Sequence, residues 1–234
     1  MTRSVEALVD EQVRRWALTR EEQRRDVRRP VITVARQHGA RGTDLARRLA
    51  EDLGFDVFDQ EIIQRIAEST HRSERVVTAL DERTRELLTD WLAAFASPSY
   101  MSTAEYRSHL ARVVGLVAYK GGAVIVGRGA HLILGRGQAL RVLAVAPLDA
   151  RVHTVMEKEG LSERAARSRI EEVEASRRAF LARQFNAAFA DPADFDLVVN
   201  TAALGVEGAC AVVRDALRLL AARPAADGLR SASA

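Results

Sequence analysis

Along residues 31–222, short unbroken apolar runs alternate with stretches in which apolar side chains recur every three or four positions. The runs at 31–35, 55–59, 122–127, 140–146 and 196–200 read as strands. The run Val124-Ile125-Val126, set between glycines, lacks the polar alternation of a half-exposed strand, so it predicts a strand covered on both faces. Between the runs, helical spacing predicts helices over 43–53, from Ile62 onward, over 73–95, 103–119, 149–159 and 206–222, and a long arginine-rich helical region over 162–189. Gly54 and Gly160 stand where left-handed caps close two of these helices. Five buried strands separated by helices imply an α/β fold, a five-stranded parallel sheet with helices on both faces. In such sheets ligands bind beyond the carboxyl ends of the strands, so the residues after each strand are the ones to read for chemistry.

Flanking stretches extend this domain, which spans 30–223. Residues 1–29 carry Val5, Leu8, Val9, Val13 and Trp16 at helical steps, predicting an amphipathic helix that packs on the domain or on a second copy of the chain, as in a homodimer. Residues 224–234 are small and polar, and read as a disordered tail. The net charge of +3 gives no general preference for polyanions, and no aromatic platform accompanies the arginines near 24–29, so nucleic acid is not an expected partner. No apolar run approaches the roughly 18 residues of a membrane span, and no apolar signal core opens the chain, so the expected location is cytoplasmic with no membrane partner. The single cysteine, Cys210, excludes an intrachain disulfide, and its apolar context reads as packing. The five histidines show no metal-ligand spacing, so no zinc site is expected.

The richest candidate chemistry follows the first strand, in Arg36-Gln37-His38-Gly39-Ala40-Arg41-Gly42-Thr43-Asp44. Gly39 and Gly42 permit the close approach that a phosphate-wrapping backbone needs, and Thr43 and Asp44 suit the first helical turn as capping or magnesium-side groups. An ordinary strand-to-helix turn explains two glycines equally well; Arg36 and Arg41 in the same loop favour an anion site. The second strand ends at Asp59, either a polar ligand group or the cap of the next helix. After the third strand stands Arg128 between Gly127 and Gly129, poorly explained by packing and suited to bidentate phosphate binding. In the long helical region Glu174 and Arg177 share a face, and a mobile arginine-bearing helix is one way to close charge over a transferred phosphoryl group.

These pieces together resemble the cytidylate kinase-like family, a branch of the nucleoside monophosphate kinases within the P-loop fold. The resemblance runs from about Val31 to Leu219 and rests on the Ile32–Gly42 stretch, on Phe58-Asp59-Gln60-Glu61-Ile62-Ile63, and on Val124-Ile125-Val126-Gly127-Arg128-Gly129-Ala130. It also rests on Glu174-Ala175-Ser176-Arg177 with Asp191-Pro192-Ala193-Asp194-Phe195-Asp196-Leu197-Val198-Val199-Asn200-Thr201. It implies a P-loop three-layer sandwich with a helical lid at about 160–190, using ATP and Mg2+ to phosphorylate a nucleoside monophosphate, CMP or dCMP first among them. It further implies that Arg36, Gly39, Ala40, Arg41, Gly42, Thr43 and Asp44 hold the donor. Asp59 would face the acceptor side or magnesium, and Arg128 and Glu174 would serve the acceptor side, with Glu174 orienting Arg177. Arg41, Arg128 and Arg177 would act on the transferred charge.

Two departures stand out. The lysine that ends such loops is absent: matching the helices puts Gly42 at its place and Arg41 at the preceding glycine, whereas a one-residue slide lets Arg41 stand for the lysine. The family's cytidylate kinases also carry an aspartate after the acceptor arginine, where this chain has Gly129. A kinase of the same fold with another small phosphate acceptor, and a nucleotide-binding module without efficient turnover, therefore stand as alternatives.

Overall fold

The computed structural model describes residues 29–59, 63 and 101–221, with side chains from 106 to 220 in the second stretch. The expected helices over 1–29 and 73–95, most of the one beginning at Ile62, and the tail at 224–234 lie outside the described residues. Five strands form one sheet: β1 (Val31–Arg36), β2 (Asp56–Phe58), β3 (Ala123–Val126), β4 (Leu140–Val145) and β5 (Leu197–Asn200). All pairings are parallel, in the order β2-β3-β1-β4-β5. Helices are α1 (Gly42–Leu53), α2 (Met101–Lys120), α3 (Ala130–Ile133), α4 (Leu148–Glu159), α5 (Glu163–Phe185) and α6 (Thr201–Ala221).

The apolar runs form strands because each is buried from two sides. Ile32 and Val34 of β1, with Val124 and Val126 of β3, pack beneath Leu45 and Leu49 of α1 and Val213 of α6. Val31 and Ile125 face the other way, onto Leu110, Val114 and Val117 of α2 and Ile133 of α3. The result is a three-layer sandwich with β1 at its centre. Each fully buried large side chain contributes about 1.5–3 kcal/mol, so the central strands are fixed by packing rather than by propensity. α1 ends at Gly54, whose left-handed φ of 62° lets its N–H reach back to the Ala50 and Glu51 carbonyls.

A smaller apolar cluster joins Val152 and Val155 of α4 to Ala166 and Ile170 of α5, apart from the sheet. This helix pair has its own core and touches the main body near Phe180 and Phe185. α5 closes at Asn186 in the left-handed region, a few residues before the expected boundary at 189. α6 starts earlier than the expected 206, at Thr201, with a break at Gly205 (φ 67°). At the far edge, Arg141 and Asp196 lock β4 to β5 through a two-pronged pair of 3.0 and 2.7 Å.

Candidate functional site

The loop between β1 and α1 is held by its neighbours rather than by its own length. The Gln37 N–H donates to the Ala144 carbonyl at 3.0 Å, and its side-chain oxygen accepts from the Ala146 N–H at 3.1 Å. The Thr201 hydroxyl donates to the Ala40 carbonyl at 2.8 Å. Gly39 is irreplaceable here: φ is +81°, and an added Cβ would lie 2.5 Å from the Arg151 carbonyl oxygen. Two residues later Arg41 is also left-handed, at φ 51°, and α1 then begins with no side-chain cap. Left-handed residues alternating with ordinary ones curl successive N–H groups into an anion-binding nest, here opening onto a helix N-terminus.

The geometry also decides between the two loop alignments. A Cβ on Gly42 would lie 2.5 Å from Arg36 Cβ and 3.1 Å from Ala144 Cβ, so no side chain can leave that position. Arg41 takes the left-handed position that suits a glycine, at a cost of about 1–2 kcal/mol. Its side chain is 52% exposed and pairs with Asp44 at 3.2 Å. The stem of Arg36 thus fills the space that a side chain at 42 would take, while Arg41 turns to Asp44.

Two cavities open at the carboxyl end of the sheet. The larger, about 320 Å³, is lined by Arg36, Gly127, Arg128, Gly129, Arg177 and Phe180, among others. The smaller, about 130 Å³, is lined by the loop residues from Arg36 through Thr43 except the buried Ala40, together with Thr154, Lys158 and Arg177, among others. Among the described residues, Arg36 and Arg177 alone line both. Arg177 reaches across from α5 to donate to the Arg36 carbonyl at 2.8 Å. Burial, reinforced by Arg177 and Arg128 and opposed by Asp59, pushes the Arg36 guanidinium down to about 9, still charged at neutral pH. Asp59, at the end of β2, thus faces this cationic cluster. Arg128 is held at φ 52° between two left-handed glycines and lies over the Phe180 ring at 5.1 Å. A strained non-glycine residue in a cavity wall points to a functional constraint.

Glu174 departs from expectation. It accepts from Arg151 Nη1 at 2.7 Å and from the His38 N–H at 3.2 Å, and it lines neither cavity. Its relation to Arg177 is through-space attraction only. The reason is tertiary: α4 brings Arg151, buried and bonded also to the Ala146 carbonyl, closer than the helical neighbour three residues on. Glu174 therefore clamps the loop to the α4–α5 pair rather than orienting Arg177. Sequence reasoning also missed Lys158, whose ammonium lies 2.6 and 2.8 Å from the Asp44 oxygens, because nothing local links positions so far apart. It missed the filling of the Gly129 position as well. A Cβ there would lie 2.4 Å from Phe185, so an aromatic ring stands where an aspartate side chain would project.

No helix among the described residues is long and apolar enough to cross a membrane. No cluster of three or more metal-ligating side chains occurs among them. A magnesium ion held with nucleotide phosphates needs only one or two carboxylates. Asp44, at the head of α1 beside the nest, fits that need.

A nest of backbone amides between β1 and α1, beneath arginines gathered at one end of a parallel sheet, defines a P-loop kinase fold. The chain belongs to the cytidylate kinase-like family, whose model matches residues 31–203. An uncharacterized protein from Eubacterium ventriosum ATCC 27560 has a similar structure at 16% identity and a TM-score of 0.55, covering 83% of this chain and 100% of the other. Shikimate kinase from Bacteroides thetaiotaomicron also matches, at 16% identity and a TM-score of 0.46, over 81% of this chain and 98% of the other. No curated protein matches the sequence.

Proposed function

We propose that this chain is an ATP-dependent phosphotransferase acting on a nucleoside monophosphate, with CMP or dCMP the first candidates. The observation that carries this reading is the shared wall. Arg36 and Arg177 stand between a loop cleft suited to donor phosphates and a larger cavity with Arg128 on its side. In the reaction an acceptor phosphate oxygen forms the new bond to the γ-phosphorus, while the bond to the β–γ bridging oxygen breaks and its electron pair leaves with ADP. Such transfer needs alignment and charge neutralisation more than covalent help from the protein. The loop amides and α1 terminus hold the donor, Arg128 holds the acceptor anion, and Arg36 and Arg177 face the group in flight. Asp44 would hold Mg2+, which would supply neutralisation of the donor phosphate charge.

A second acceptor class is favoured by one observation. The Phe185 ring against Gly129 replaces a carboxylate with an apolar wall, which suits a small phosphate acceptor other than cytidylate. Incubation with MgATP and a panel of nucleoside monophosphates and other small phosphates, following ADP release, tests both readings. Enzyme-like turnover with CMP supports the first; turnover with a different acceptor supports the second. ATP binding by calorimetry with no ADP from any acceptor rejects both and leaves a binding module.

A homodimer through residues 1–29 is part of the same proposal. Sedimentation of the chain truncated to start at Arg29, compared with the full chain, tests it.

A further inference from the structure

Resting on the reading of the loop cleft as a donor site, we infer that Lys158 supplies from α4 the ammonium that the loop lacks, with Asp44 holding it in store until nucleotide and metal enter. Four observations meet at this point. Gly42 admits no side chain, so no cation can rise from the loop at the usual place. Lys158 lines the same cleft as Gly39, Arg41, Gly42 and Thr43. Its Nζ touches both Asp44 oxygens, at 2.6 and 2.8 Å, at the head of the helix whose terminus faces the phosphates. Its tip is held by Asp44, and about half of the side chain is open to solvent. Glu159 beside it contacts His38 at 3.4 Å and Arg169 at 3.3 Å, whereas the Lys158 side chain is 51% exposed.

The alternative is an ordinary surface ion pair, which adds little to stability and nothing to nucleotide binding. Three features speak against it. A compact ammonium on a flexible four-carbon stem can swing from a carboxylate to a phosphate a few ångströms away, as a planar guanidinium locked in a bidentate pair does not. Lys158 sits in the cleft wall, and Asp44 follows the last loop residue that lines it, Thr43. Asp44 is also the residue that magnesium would claim, so entry of the metal frees Lys158 for the phosphates in one exchange. The division of labour follows from position. Arg36 and Arg177 serve the transferred group from the wall between the cavities, and Lys158 serves the donor phosphates from the lid side of the cleft.

Calorimetric titration of the full chain with ADP, with and without Mg2+, tests this without relying on turnover. Lys158→Ala weakens ADP binding by about ten- to a hundredfold, the loss expected for one charge-assisted hydrogen bond. Lys158→Arg keeps part of that affinity. Asp44→Asn releases the ammonium, so metal-free ADP binds at least as tightly as to wild type, while the gain on adding Mg2+ is lost. A thermal melt of each variant confirms folding. If wild type binds ADP and Lys158→Ala binds it equally well, with only its melting point changed, the inference is overturned. If wild type itself does not bind ADP, the donor-site reading fails instead.

Discussion

Arg36 and Gly42 compete for one volume: a Cβ on residue 42 would lie 2.5 Å from that of residue 36. The side-chain stem at the end of β1 therefore leaves no room for a lysine at the head of α1, and the Arg36 guanidinium lines the wall between the two cavities instead. Arg36→Ala is expected to reduce ADP release with the best acceptor by roughly a hundred- to a thousandfold, the loss measured when one donor to developing charge is removed. Arg41→Ala, which alters a half-exposed side chain, should change it by less than about tenfold, since exposed pairs contribute little. Gly42→Lys alone should destabilise the loop rather than raise activity. Steady-state rates of the three variants, with a thermal melt of each, decide the matter, and a null effect of Arg36→Ala defeats the claim.

Phe185 and Gly129 stand in the same relation on the acceptor side. Gly129→Asp introduces a Cβ 2.4 Å from the ring at a left-handed φ of 67°, so unfolding free energy should fall by about 1–3 kcal/mol from overpacking. Adding Phe185→Ala should recover part of that loss by removing the clash. Urea titration of the single and double variants measures both. Equal stability of Gly129→Asp and wild type would show that the ring moves aside freely.

Glu174 and Arg151 form an ion pair with side chains only 13% and 10% exposed. Removing one partner of a buried pair leaves an uncompensated charge, at a cost of about 3–5 kcal/mol. Glu174→Ala should therefore lower the urea midpoint sharply. A variant that kept full stability and lost only turnover would return Glu174 to the chemistry.

His131 sets a pH window. It is buried against Phe195, with ring centroids 4.6 Å apart, and burial, aided by Arg141, pushes its imidazole down to about 4 from 6.5. The unfolded chain therefore binds the proton first. Stability from this group is complete above pH 6.5 and drains away as pH falls toward 4, by up to about 3 kcal/mol at 1.36 kcal/mol per pKa unit. Urea midpoints at pH 7 and 4.5 should differ by more in wild type than in His131→Phe, which keeps the stack and removes the titration. Parallel pH slopes would refute the assignment.

Much of the architecture was readable from the chain alone because burial writes itself into spacing. The apolar run at 122–127 predicts a strand covered on both faces, and β3 is fully buried between two helical layers. The glycines around Arg128 mark backbone that only small residues adopt cheaply, and Gly127, Arg128 and Gly129 all have positive φ. Arg177 is placed by the resemblance on a helix that closes charge, and it reaches the end of β1. Each of these signals is local: it lies within one helical turn, one strand or one loop.

The pairings were not local, and there the sequence stopped. Spacing offered Glu174 to Arg177, three residues away, yet the carboxylate went to Arg151 because α4 and α5 pack together and deliver that guanidinium first. A one-residue slide would let Arg41 stand for the missing lysine, yet Arg41 sits in a left-handed turn with its side chain half exposed and paired with Asp44. Lys158 met Asp44 across 114 positions. The sequence by itself determined the five strands and most of the described helices, since periodicity and glycine placement act over a few residues. Which charge faces which was decided only in three dimensions, because the energy of an ion pair depends on distance and burial, and neither exists until the helices have packed.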